Sequence, residues 1–141
     1  MNRLEGKVVI ITGASGGLGK QMALRFAQEG AKLAICARRE KKLQETKDLC
    51  QQAGAQVLAM VADVSHHDEL KAFVEKTAET FGTIDVLVNN ASTISAPHPF
   101  LEHTINDLEE ALHSGLYGTW QMMQLCFPYM KEHAVHHQPL A

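Results

Sequence analysis

The sequence predicts an α/β fold, a doubly wound parallel sheet that stops after about four strands, and three observations carry that prediction. Short, continuous apolar runs alternate with amphipathic helical patterns along the 141 residues, as expected of parallel strands covered on both faces. A glycine follows each of the first three helical patterns, at Gly30, Gly54 and Gly82, where a left-handed C-terminal cap belongs. The first strand runs directly into a glycine-rich turn, Thr12-Gly-Ala-Ser-Gly-Gly-Leu-Gly19, from which a helix leaves.

Strand-like runs occupy residues 7–12, 32–37, 56–62 and 84–89. Between them, the first helix covers 18–29, with Leu18, Met22 and Phe26 repeating every four residues. The second covers about 40–53, and the third gathers Leu70, Phe73, Val74, Thr77 and Phe81 on one face. Right-handed crossovers between these strands give the order 3-2-1-4. Residues 91–101, with Pro97 and Pro99, read as a loop.

A long helix is predicted over 104–131, with Ile105, Leu108, Leu112, Trp120, Met123, Phe127 and Met130 on one face. Thr104 is its N-cap, with Asp107 three residues on as an acidic variant of the capping box. Ser114, Gly115 and Gly118 weaken its middle, so a bend is expected there, and Pro128 adds a second disturbance. Trp120 and Met122-Met123 read as core or helix–helix contact rather than a ligand pocket. The tail 133–141 has neither strand alternation nor a helical face, so the domain is assigned to 1–132. Strand four is then expected to be an open edge, and one face of the long helix to lack cover.

Hydrophobic content of 45%, charged content of 21% and a net charge of −3 describe a soluble globular domain without the basic face that nucleic acid requires. No apolar run is long enough to span a membrane, and the N-terminus lacks a signal-peptide core, so a cytoplasmic setting is expected. Cys36, Cys50 and Cys126, with no C-x-x-C spacing, read as reduced, packed thiols. The eight histidines include no H-E-x-x-H-like frame and read as surface residues, with no metal site.

The chemistry concentrates at the ends of the strands. Gly13, Gly17 and Gly19 suit a tight turn, a close backbone approach and close helix–strand packing. The helix N-terminus at Leu18 then offers N–H groups and a dipole to a pyrophosphate. Strand two ends in Ala37-Arg38-Arg39. An acidic residue there would accept from the ribose hydroxyls of NAD, whereas a guanidinium suits the 2′-phosphate of NADP. Phosphate binding is favoured over a solvated helix start for Arg38, while for Arg39 the two stand level. Asp63-Val64 closes strand three and Asn89-Asn90-Ala91-Ser92 closes strand four, all at the carboxyl edge where open α/β sheets bind ligands.

Together these segments resemble the short-chain dehydrogenase/reductase family over about residues 4–132. Thr12–Gly19 matches its T-G-x-x-x-G-x-G fingerprint, Asp63-Val64 its adenine-side aspartate, and Asn89-Asn90-Ala91 three residues of its N-N-A-G. The resemblance implies a Rossmann-type fold and hydride transfer between NAD(P)H and a small-molecule carbonyl or alcohol. It places Ser15 and Arg38 on the 2′-phosphate, Asp63 on the adenine, and Asn90 on the nicotinamide-side ribose region. It also implies NADP in preference to NAD, and a homodimer through the helix 104–131.

Departures accompany the resemblance. Ser92 stands where the family has glycine, and Gly115, in Gly-Leu-Tyr-Gly, stands where it has its catalytic asparagine. The catalytic serine and the Tyr-x-x-x-Lys pair do not occur by residue 141; Tyr129 has histidine, His133, at the lysine spacing. Hydride transfer to a carbonyl leaves an alkoxide that needs a proton, so without that tyrosine the chain alone is expected to be inactive. The first reading is therefore a truncated NADP-dependent oxidoreductase. The alternative is a non-catalytic dinucleotide-binding module, or a truncated gene product without function. The tail is expected to be a reading-frame product rather than an ordinary disordered terminus. A frame shifted at Ala134 permits R-C-I-I-N-L-S, close to the strand that the family has next.

Overall fold

The computed structural model describes residues 2–130. Four parallel strands, β1 (Val8–Thr12), β2 (Lys32–Ala37), β3 (Val57–Val61) and β4 (Val86–Val88), form one sheet in the order β3-β2-β1-β4. Helices α1 (Gly17–Gln28), α2 (Glu40–Gln52) and α3 (His67–Phe81) make the crossovers. The register sets Ile10 beside Ala34 and Leu87, so β1 is flanked on both edges.

The two faces follow from the two-residue period of a strand. Val9, Ile11, Leu33 and Ile35 face one way and pack with Ala23 and Ala27 of α1 and Leu43 and Cys50 of α2. Ile10, Ala34 and Cys36 face the other way, onto Leu70, Phe73 and Val74 of α3. All five residues of β1 are buried, which is why Val8–Ile11 run continuously apolar rather than alternating. The caps expected at Gly30, Gly54 and Gly82 have positive φ values of 89°, 95° and 81°.

β4 is shorter than the predicted 84–89. At its start Asp85 turns its carboxylate back to accept from the Val8 N–H at 2.8 Å.

The long helix is a composite: α4 (Ile105–Ala111), a π-helical segment (Leu112–Tyr117) and α5 (Gly118–Met130). Its capping box is present, with Thr104 Oγ1 accepting from Asp107 N at 3.3 Å and Asp107 Oδ2 accepting from Thr104 N at 2.7 Å. The expected disturbance at Ser114–Gly118 is thus a π segment. Its buried line is Ser114, Gly118, Met122 and Cys126. Of the predicted apolar face, Ile105, Leu108, Trp120, Met123 and Phe127 are all exposed. Of the two readings given for Trp120 and Met122-Met123, core holds for Met122, which is fully buried, while the exposure of Trp120 and Met123 removes core for them and leaves a helix–helix contact. Cys36, Cys50 and Cys126 are free and buried, as expected. The tail 133–141, the domain boundary at 132, the last residue of the predicted helix and the proposed frame shift lie outside the described residues.

Candidate cofactor site

β1 ends in Thr12, and the turn after it needs glycine for two distinct physical reasons. Gly13 has φ +67°, and a Cβ there would stand 2.8 Å from Ala91 Cα. Gly19 lies in the first turn of α1, where a Cβ would overlap the Gly13 carbonyl oxygen. The helix therefore closes on the strand as the G-x-x-x-G-x-G spacing predicts. At the head of α1, no side chain caps the helix and no acidic residue stands in its first turn. Its free N–H groups are thus left for an anion.

Two hydroxyls and one amide stitch this turn to its surroundings, and a third hydroxyl holds the segment after β4. The Oγ1 of buried Thr12 accepts from Asn90 N at 3.1 Å and Ala91 N at 3.0 Å. In return, Asn90 Nδ2 donates to the carbonyls of Thr12 and Gly13, each at 3.1 Å. From the neighbouring helix on the same face of the sheet, buried Thr46 of α2 donates Oγ1–H to the Ala14 carbonyl at 2.9 Å. Farther along, Ser114 Oγ accepts from Thr93 N at 2.8 Å. Below the turn, burial pushes the Cys36 thiol up to about 12, against the opposing effect of a hydrogen bond from the Gly13 backbone. That thiol is an inert part of the core.

The turn, the ends of β2 and β3 and the segment after β4 enclose a cleft of about 230 Å³. Of the predicted residues, Gly13, Ser15, Arg38, Arg39, Asp63, Val64, Asn90 and Ala91 all line it. Arg39 reaches across the turn, its Nη2 donating to Ser15 Oγ at 3.3 Å. Asp63 accepts from Ser65 N at 2.8 Å through Oδ1, which orients the carboxylate. Gly17 and Leu18 are exposed at the helix start and Gly19 is buried beneath the turn, so these three shape the cleft without lining it. Gly115 stands apart in the π segment, with nothing within 4 Å of a Cβ placed on it. Ser92 also lines the cleft.

Sequence reasoning missed Thr46 and Ser114. Thr46 falls on the buried stripe of α2 with Leu43 and Cys50, and a hydroxyl in such a stripe is a sign of a buried partner. Ser114 carries the same sign in a helix whose face was assigned differently. Among the described residues no group of three His, Cys, Asp or Glu side chains stands close enough to hold a metal ion. No helix among them is long and apolar enough to cross a membrane.

A family profile described as short chain dehydrogenase matches residues 7–136. A 12α-hydroxysteroid dehydrogenase of a Clostridium species is 37% identical over 139 residues, covering 94% of this chain and 54% of its own. Levodione reductase superposes with a TM-score of 0.87 at 33% identity, over 92% of this chain and 51% of that one. A carveol dehydrogenase from Mycobacterium avium in complex with NAD superposes with a TM-score of 0.87 at 26% identity, over 94% and 52%. The chain thus spans about half the length of each of these relatives.

Proposed function

This chain belongs to the short-chain dehydrogenase family, and on that premise we propose that its cleft takes a nicotinamide dinucleotide. The protein is read as the cofactor-binding part of an oxidoreductase acting on a carbonyl or alcohol, with NADP(H) preferred to NAD(H). One observation carries the reading: the predicted residues of four separate strand ends converge on a single cleft. Ser15, Arg38 and Arg39 would hold the 2′-phosphate, Asp63 and Val64 the adenine, and Asn90 and Ala91 the nicotinamide-side ribose. Gly13, Gly17, Leu18 and Gly19 would bring the turn and helix N-terminus to the pyrophosphate. Asn90 also has a second task, since its amide N–H groups pin the glycine turn.

When bound, the nicotinamide supplies or accepts the hydride. The residues of the cleft bind and orient; none of them is placed as the acid that protonates an alkoxide. No Tyr-x-x-x-Lys occurs within the 141 residues, and Gly115 brings no side chain. The missing side chain at Gly115 favours a second reading, a dinucleotide-binding module without turnover. The 141-residue polypeptide is expected to bind cofactor and to show little or no dehydrogenase activity with a panel of carbonyls. The name of the bacterial relative makes a hydroxysteroid the first alcohol to try.

We assign the described chain to one nucleotide-binding domain with a reducing, cytoplasmic setting, in keeping with its buried free thiols. The exposed apolar side chains of α4 and α5 support a homodimer through that helix.

Titration of NADPH and NADH against wild type and Arg38→Ala tests the cofactor reading. A charge-assisted pair is worth roughly 1.5–3 kcal/mol, so a preference for NADPH of about tenfold or more is expected, and its loss in the variant. Equal affinities unchanged by the substitution would refute the NADP assignment.

A further inference from the structure

The wall of the cleft formed by residues 90–93 is held at both ends by hydroxyls. At one end is Thr12 Oγ1, bonded to the N–H groups of Asn90 and Ala91. At the other is Ser114 Oγ, bonded to the N–H of Thr93 at 2.8 Å. Ser114 is 1% exposed and belongs to the π segment. Its own proton goes to the Glu110 carbonyl at 3.0 Å, with the Ala111 carbonyl farther off at 3.5 Å, so the hydroxyl is engaged as both donor and acceptor.

The anchor is itself built. A π turn shifts backbone pairing from the fourth to the fifth residue and disturbs the carbonyls at its entry. Two successive side chains meet those carbonyls: His113 Nδ1 lies 2.7 Å from Glu109 O, and Ser114 Oγ bonds Glu110 O. A hydroxyl buried in line with Gly118, Met122 and Cys126 costs stability unless it is bonded. Its bond outside its own helix is to Thr93, in the cleft wall. The opposite side of the cleft has separate ties, through Thr46 to Ala14 and through Asp63 to Ser65.

We propose that Ser114 is a positioning residue: it fixes residues 91–93 to the π segment and thereby sets the affinity for the nicotinamide-side half of the dinucleotide. The inference rests on the cofactor reading above. It predicts an asymmetry, because removing the Ser114 hydroxyl loosens one side of the cleft and leaves the ties of the adenosine side in place.

The test compares binding of NADPH and of adenosine 2′,5′-bisphosphate, which lacks the nicotinamide half, to wild type, Ser114→Ala and Ser114→Thr. Amide exchange is followed in the same proteins. Ser114→Ala is expected to weaken NADPH about tenfold and the bisphosphate less than about twofold. The Thr93 amide should exchange faster while Val8–Thr12 and Lys32–Ala37 keep their protection, and Ser114→Thr, which retains the hydroxyl, should restore both readouts. Parallel losses for both ligands, unchanged NADPH affinity, or unchanged Thr93 exchange would each overturn the proposal. If wild type binds neither ligand, the cofactor reading falls, and with it the role in affinity; Thr93 exchange then decides whether Ser114 holds the wall.

Discussion

The sheet with its three crossover helices and the α4–π–α5 arm are built on opposite principles. In the first, every residue of β1 is buried, and the helices bring their large apolar side chains inward, Leu70 and Phe73 among them. In the second, the residues facing the sheet are Ser114, Gly118, Met122 and Cys126, while Trp120 is 57% and Phe127 54% exposed. Burial is the larger stabilising contribution, at roughly 25 cal/mol per Å² of apolar surface. The sheet region should therefore determine whether the chain folds. The arm, packed through a narrow line in which Met122 is the one large side chain, is suited to placing a hydroxyl against the cleft wall and offering an apolar face to a second surface.

The sharpest way to break this comparison is to truncate one large side chain in each region. Phe73, fully buried, should cost about 3–5 kcal/mol of unfolding free energy as Phe73→Ala. Trp120→Ala should change the unfolding free energy of the monomer by less than about 1 kcal/mol and instead reduce self-association. Chemical denaturation combined with sedimentation would show both. Equal losses of stability would mean that the arm is packed like the sheet.

A smaller effect separates positioning from packing within the sheet region. Thr46→Val keeps the shape of the buried side chain and removes the bond to the Ala14 carbonyl. Leaving that acceptor unpaired should cost roughly 1–3 kcal/mol. Cofactor affinity should fall as well, because Ala14 belongs to the turn. A variant as stable and as tight-binding as wild type would remove Thr46 from the site's support.

The strand order, the cleft and most of its lining were legible in the sequence because their signals are local. A strand that must be buried on both faces reads as Val-Val-Ile-Ile, and a turn that must admit another backbone reads as glycine. Two kinds of feature were not. The ties from Thr46 and Ser114 are tertiary, and a single hydroxyl in a helix has the same local pattern whether or not a carbonyl or N–H waits opposite. Ser114, Gly115 and Gly118 mark a disturbance in the long helix without specifying its π form, and periodicity favours the large residues of the arm over Ser114 and Gly118. Hydrophobic pattern identifies which face is apolar; here the face that packs carries Ser114, Gly118 and Cys126 around a single large side chain, Met122.

The thiols sharpen the contrast through pH. Burial pushes Cys36 up to about 12 and Cys50 up to about 11, while an unfolded thiol titrates near 8.5. Above that value the unfolded chain loses a proton that the folded chain keeps. Stability is thus fully present below about pH 8.5 and falls with rising pH until the folded thiol titrates. The slope is about 1.4 kcal/mol per pH unit for each such thiol. Unfolding curves at pH 8, 9 and 10 should show it, and Cys36→Ala should flatten it by roughly one thiol's share. An identical pH profile in the variant would show that Cys36 ionises in the folded state as readily as in water.

The smallest effect lies within the arm, at two glycines three residues apart. A Cβ on Gly115 meets nothing within 4 Å, and its φ is not among the positive ones. Replacing glycine by alanine there restricts only the unfolded chain, so Gly115→Ala should stabilise by about 0.5–1 kcal/mol. Gly118 sits on the buried line, where a Cβ would stand 2.8 Å from the Val64 carbonyl oxygen and 3.2 Å from Val64 Cβ. Val64 also lines the cleft. Gly118→Ala must therefore push the arm away from the segment after β3, lowering stability and disturbing the cleft wall together. Measured side by side by thermal unfolding, the two variants should move in opposite directions. If Gly115→Ala destabilises as much as Gly118→Ala, the space beside residue 115 is filled in solution, and the arm lies closer to its surroundings than its exposed face indicates.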